Sequence, residues 1–115
     1  MRQLIRINTG TINRYSSDAT LNENSGTINT LSKGSVRKNT GKINDVNDKN
    51  VTIYNYAGGT VGKSNDAWGV RACTVWNMGG IVQGYSSYAD NVKVYNFEGG
   101  TVSNLRKGSV IYNLG

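Results

Sequence analysis

Seven carboxylates, one thiol and no histidine make up the chain's stock of reactive groups. The acids are Asp18, Glu23, Asp45, Asp48, Asp66, Asp90 and Glu98. Three of them recur in related settings, Ser-Ser-Asp18-Ala, Ser-Asn-Asp66-Ala and Tyr-Ala-Asp90-Asn. Carboxylates stacked in space can hold Ca²⁺ or act as an acid/base pair, but an Asp in such a setting more commonly caps a turn by accepting from its own backbone. Without histidine there is no Ser-His or Cys-His nucleophile pair, and most zinc sites are excluded. The glycine pairs Gly58-Gly59, Gly79-Gly80 and Gly99-Gly100 lack the Gly-Lys-Ser/Thr ending of a phosphate loop. Cys73 cannot form an internal disulfide and falls at a core-facing spacing, where a free cysteine acts as a small apolar residue. The inventory therefore reads as a protein that is not an enzyme, with no metal and no cofactor.

Thirteen Lys and Arg set against seven acids give a net charge of +6. Residues 1–57 hold eight basic and four acidic side chains, and the rest of the chain holds five and three. That balance fits an acidic partner, nucleic acid included, although no dense basic run or nucleic-acid motif is present. Apolar residues make up 37% of the chain with no long apolar run, which predicts no membrane span. The start, Met1-Arg2-Gln3-Leu4-Ile5, lacks a signal-peptide core. The expectation is one domain over residues 1–115, located in the cytoplasm.

The elements that position these groups come from a repeat. An apolar residue leads, an Asn follows, then Gly, then a β-branched pair. The leaders are Ile5, Leu21, Val36, Ile53, Val75, Val94 and Ile111, with steps of 16, 15, 17, 22, 19 and 17 residues. Such a drifting period marks stacked coils. The leaders should form one aliphatic ladder, with Gln3, Ala19, Gly34, Val51, Cys73, Val92 and Ser109 facing inward two residues earlier. Ile12, Ile28, Ile43, Val61, Val82 and Val102 should form a second ladder, and Tyr15, Leu31, Val46, Tyr85 and Leu105 a partial third. The glycine after each Asn is read as a turn residue that tolerates positive φ. The Asn amides, stacked at equal positions, should hydrogen-bond along a column. The long step from Gly62 to Cys73 should project a loop carrying Lys63, Asp66, Trp68 and Arg71.

On these residues the chain resembles a single-stranded parallel β-solenoid, or β-helix: an all-β fold of about seven short coils. That architecture includes carbohydrate lyases and hydrolases, phage tail spikes, adhesins and ice-binding proteins, so it implies no single function. An ice-binding surface needs a regular Thr array. The outward column Thr11, Thr27, Lys42, Thr60, Ile81, Thr101 is broken by a charge and an Ile.

The residue after each leader should face outward. Read along the rod, these are Arg6, Asn22, Arg37, Tyr54, Trp76, Tyr95 and Tyr112: a polar, basic stretch that becomes an aromatic column. Exposed stacked aromatics mark a contact surface, and they also stabilise neighbouring strands. The expected site uses Tyr54, Trp76, Tyr95 and Tyr112 as apolar anchors, with Arg6, Arg37, Lys38 and Lys42 supplying charge. The partner would be a macromolecule, protein or nucleoprotein, bound without catalysis. The alternatives are a carbohydrate-binding or structural segment of a phage tail or adhesin, and direct nucleic-acid binding. The last coil, Ile111-Tyr-Asn-Leu-Gly115, breaks off at its turn, which predicts homo-oligomers through an open C-terminal edge. In style the chain is similar to small phage or mobile-element proteins, among them anti-CRISPR inhibitors of host defence complexes.

Overall fold

The computed structural model describes residues 6–63, 69–84 and 89–115. Expectations placed on Gln3, Ile5, Asp66, Trp68 and Tyr85 fall outside the described residues. Short β-branched stretches broken by Asn and Gly favour strands over helix, and strands are what form. In chain order they are β1 (Ile7–Asn8), β2 (Thr11–Leu21), β3 (Glu23–Asn24), β4 (Thr27–Asn39), β5 (Lys42–Asn47), β6 (Thr52–Tyr56) and β7 (Thr60–Val61), then β8 (Val70–Arg71), β9 (Thr74–Met78), β10 (Ile81–Gln83), β11 (Lys93–Asn96), β12 (Thr101–Ser103) and β13 (Val110–Asn113). They make one sheet wound into a coil, and every strand pairing is parallel. The fold is a parallel β-solenoid.

The three inward ladders are present. Leu21, Val36, Ile53, Val75 and Val94 are buried in the first, together with Val51, Cys73 and Val92 two residues before their leaders. Ile28, Ile43, Val61 and Val82 are buried in the second, with Ile12 and Val102 partly covered at its ends. Leu31 and Val46 are buried in the third, and Tyr15 and Leu105 pack against them. Two placements differ from expectation. Ile111 is 48% exposed, β13 being paired with β11 alone among the described residues. Arg71, expected on a projecting loop, is in strand β8. There Val70 pairs with Val46 and completes the third ladder for its coil. Gly62 and Gly69, on either side of the long step, both have φ of +90°.

An asparagine column runs through the interior. Asn8, Asn24, Asn39, Asn55, Asn77 and Asn96 each donate Nδ2–H to Oδ1 of the Asn one coil further on, the last to Asn113. The distances are 2.7, 2.8, 2.8, 3.0, 2.9 and 3.2 Å. The same nitrogens donate to the glycine carbonyls of their own coils at 3.0–3.4 Å. Five of them also reach a carbonyl of the following coil at 3.2–3.5 Å. These carbonyls can only accept, so they fix which end of each amide is nitrogen and give the column one direction. Asn24, Asn39, Asn55 and Asn77 are fully buried, and such burial is tolerable only with this degree of pairing.

The corner glycines need a different account in the two halves of the rod. Gly58, Gly79 and Gly99 have φ of +89°, +99° and +85°, the left-handed conformation expected of a turn glycine. Gly26 and Gly41 do not. A Cβ on either would collide with the carbonyl of the corner glycine one coil back, and a Cβ on Gly59, Gly80 or Gly100 would collide with an amide of the Asn column. Glycine is required at these positions because the column and the backbone leave no room.

The halves also differ in spacing. Coils two and three place two residues between leader and Asn, as in Val36-Arg37-Lys38-Asn39, whereas the fourth places one, Ile53-Tyr54-Asn55. The pairing shifts by one residue at this junction, and Arg37 and Lys38 are both exposed.

Two predictions follow from the interior. Asn55→Ala breaks the column and strands donors and acceptors of two neighbours, so it should cost about 3 kcal/mol in urea unfolding. Asn113→Ala, at the exposed end, should cost less than about 1 kcal/mol. Ala72 has φ of +66°, a conformation unfavourable for a residue with a Cβ. Ala72→Gly should therefore stabilise the fold by about 1 kcal/mol, read as a higher melting temperature.

Candidate functional site

Strict alternation across β6 and β9 sends every second residue outward. Register then aligns the outward residues from coil to coil: Tyr54 opposite Trp76, Trp76 opposite Tyr95, and Tyr95 opposite Tyr112. The rings form a continuous stack with centroid separations of 5.9, 4.1 and 5.1 Å and interplanar angles of 15°, 15° and 14°. Nearly parallel rings with centroids 4.1 Å apart must overlap face to face, since rings lying edge to edge in one plane, their carbons in contact at about 3.5 Å, have centroids about 6 Å apart. Trp76 and Tyr95 thus cover much of each other's faces, whereas Tyr54 and Tyr112 stack on them with larger offsets.

A second column lies beside the first. Tyr56, Met78, Phe97 and Leu114 come two residues after the anchors, across the buried Asn, and face the same way. Tyr56 pairs with Met78 in register, and Phe97 lies 6.3 Å from Trp76. On the other flank stand Thr52, Thr74, Lys93 and Val110. The result is a flat array four strands wide, about 14 Å across at ordinary strand spacing. The sequence signal for this second column was available: Tyr-Asn-Tyr, Trp-Asn-Met, Tyr-Asn-Phe and Tyr-Asn-Leu keep an apolar residue two places after each anchor.

The basic positions do not form one group. Arg37 and Lys38 are exposed on the sheet that carries the rings, one coil before Tyr54. Arg6 lies on the same sheet two coils further back, where its backbone N–H donates to Asn22 Oδ1 at 3.1 Å. Lys42 follows the Gly41 corner and belongs to the next face, between Thr27 and Thr60.

The carboxylates are dispersed. Asp45 accepts from the Gly69 N–H at 2.7 Å and pairs with Lys63 at 3.2 Å. Asp90 pairs with Arg106 at 3.4 Å, and Asp48 caps its own turn by accepting from the Asn50 N–H at 2.8 Å. Among the described residues no group of three or more metal-ligating side chains occurs. Cys73 is fully buried, and burial pushes its thiol from an ordinary 9.0 up to about 12.

Comparison of the chain with protein-family models, with curated proteins and with solved structures gives no match.

The buried thiol gives a testable consequence. Cys73 should resist a thiol reagent at pH 8 in the folded protein and react fully in denaturant. Because its folded pKa is raised, the unfolded chain releases this proton first as pH climbs past 9.0. Stability from this group is thus complete below pH 9 and is lost progressively toward pH 12. Replacing it, as in Cys73→Val, should flatten that part of the stability profile.

Proposed function

We propose that the protein is a non-enzymatic binding module whose ringed side face engages a macromolecular partner, protein or nucleoprotein. The observation carrying this reading is the array of Tyr54, Trp76, Tyr95 and Tyr112 beside Tyr56, Met78, Phe97 and Leu114, held flat and in register by the column of asparagines behind it. Rigid, half-exposed Tyr and Trp lose little conformational freedom on docking and dominate the energetics of protein contacts. Arg37 and Lys38 beside the array add charge complementarity for an acidic surface and steer the encounter.

The stacking geometry supports this reading over sugar or base recognition. Sugars and nucleobases lie on free aromatic faces, and the closest pair of the column, Trp76 and Tyr95 at 4.1 Å, cover one another's. Net charge favours direct nucleic-acid binding as the second reading, with affinity that falls steeply with salt. The finer form of the first reading is an inhibitor that acts in the cytoplasm of a host cell by covering a surface of a nucleoprotein defence complex. Its support is the combination of a rigid contact face with an absence of any recognisable catalytic set in the sequence.

The test is a pull-down from host lysate with and without nuclease, using the wild-type chain and Trp76→Ala/Tyr95→Ala. A protein partner retained after nuclease and lost with the double variant is the expected result, with the variant still folded by circular dichroism. Unchanged capture by the double variant would show that the rings serve the solenoid alone. A partner lost on nuclease treatment would transfer the reading to nucleic acid.

A further inference from the structure

Away from the ringed face, a groove of about 280 Å³ opens beside Gly69 and β8. It is lined by Arg14, Thr30, Ser32, Asp45, Gly69 and Arg71, over a floor of Leu31 and Val46. Two register columns build it. Arg14 pairs with Thr30 and Thr30 with Asp45, and Arg71 belongs to β8, which is held against β5 by the Val46 and Val70 pairing. Pairing of Val70 with Val46 sets Arg71 opposite Asn47 at this wall.

The charges of the groove are unequally committed. Asp45 is neutralised by Lys63 at 3.2 Å and further tied by the Gly69 N–H. Arg14 and Arg71 have no acidic partner among the described residues, and the hydroxyl of Ser32 is buried without a hydrogen-bond partner. A concave site with two uncompensated guanidinium groups, a hydroxyl lacking a partner and a neutralised acid is electrostatically positive and rich in donors. Guanidinium groups offer paired N–H donors matched to the oxygens of phosphate and carboxylate.

We infer that this groove binds a small oxyanion, a phosphate or carboxylate group, held by Arg14 and Arg71 with hydroxyl support from Thr30 and Ser32. The site is separate from the ringed face and does not depend on the partner proposed for it.

The experiment is a titration of the ¹⁵N-labelled protein with sodium phosphate and, separately, sodium succinate at constant ionic strength. The expected result is saturable shifts confined to the backbone signals of Arg14, Thr30, Ser32, Gly69 and Arg71. Arg14→Gln and Arg71→Gln should each weaken binding about tenfold with unchanged melting temperature, the usual consequence of removing one charge-assisted contact. Lys93→Gln, on the ringed face, should bind as wild type. Tighter binding of phosphate would assign the site to phosphorylated ligands, and tighter binding of succinate to carboxylates; both support the oxyanion site. Non-saturating shifts spread over lysines and arginines generally, or no shifts with either anion, would overturn it. Loss of binding that is equal for Lys93→Gln and Arg71→Gln would also overturn it.

Discussion

The amide-to-amide hydrogen bond between stacked asparagines is the interaction on which the rest of the molecule depends. A narrow coil has to place polar backbone at each corner close to its apolar interior, where unpaired groups are costly. The Asn column supplies donors to the corner carbonyls of its own coil and of the next, while each Oδ1 accepts from the coil before. Position, orientation and register are thereby set together. A slip of one residue would remove an amide from the column and turn every ladder residue to the wrong side of the sheet. This also explains the tight corner glycines, since the volume a Cβ would need is already filled by amide and carbonyl groups.

The ringed face is a consequence of the same constraint. Where a single residue separates leader from Asn, the strand alternates cleanly, and the residues on either side of the Asn both project outward. Four such coils in register bring Tyr54, Trp76, Tyr95 and Tyr112 into one stack. Where two residues intervene, as at Arg37 and Lys38, alternation breaks and both side chains reach solvent. The change from a basic to an aromatic surface therefore coincides with a change in coil geometry. Stacking between the rings adds a modest term of about 1 kcal/mol per pair on the outside of the rod, in parallel with the amide column inside.

Much of this was legible in the sequence, because the period is written in residue types that have a single physical use. Leaders such as Val36 and Ile53, second-ladder residues such as Ile28 and Val82, and the recurring Asn could be placed from spacing alone. The anchors Tyr54, Trp76, Tyr95 and Tyr112 followed from alternation. What escaped had a local cause in each case. Val70 joins the third ladder nine residues after Val61, where Val46 follows Ile43 by three, so counting forward from Val61 misses it. Lys42 is close to Lys38 in sequence, but the Gly41 corner turns it onto another face. Ala72 occupies a left-handed position for which its residue type gives no signal. The corner glycines Gly26 and Gly41 look like turn residues yet are required by close approach, which depends on neighbouring coils. The groove between Arg14 and Arg71 joins residues from the first and fourth coils and becomes visible only once the coils are stacked.

The most direct test of the central claim is side-chain amide hydrogen exchange of the asparagines by NMR in the native protein. The Nδ2 hydrogens of Asn24, Asn39, Asn55 and Asn77 should exchange far more slowly than those of exposed asparagines such as Asn91 and Asn104, because release requires local opening of the coil. Protection should fall away toward Asn8 and Asn113 at the two ends. Fast and uniform exchange across all of these side chains would mean that the column does not form in solution, and the account of register, corners and ringed face would fall with it.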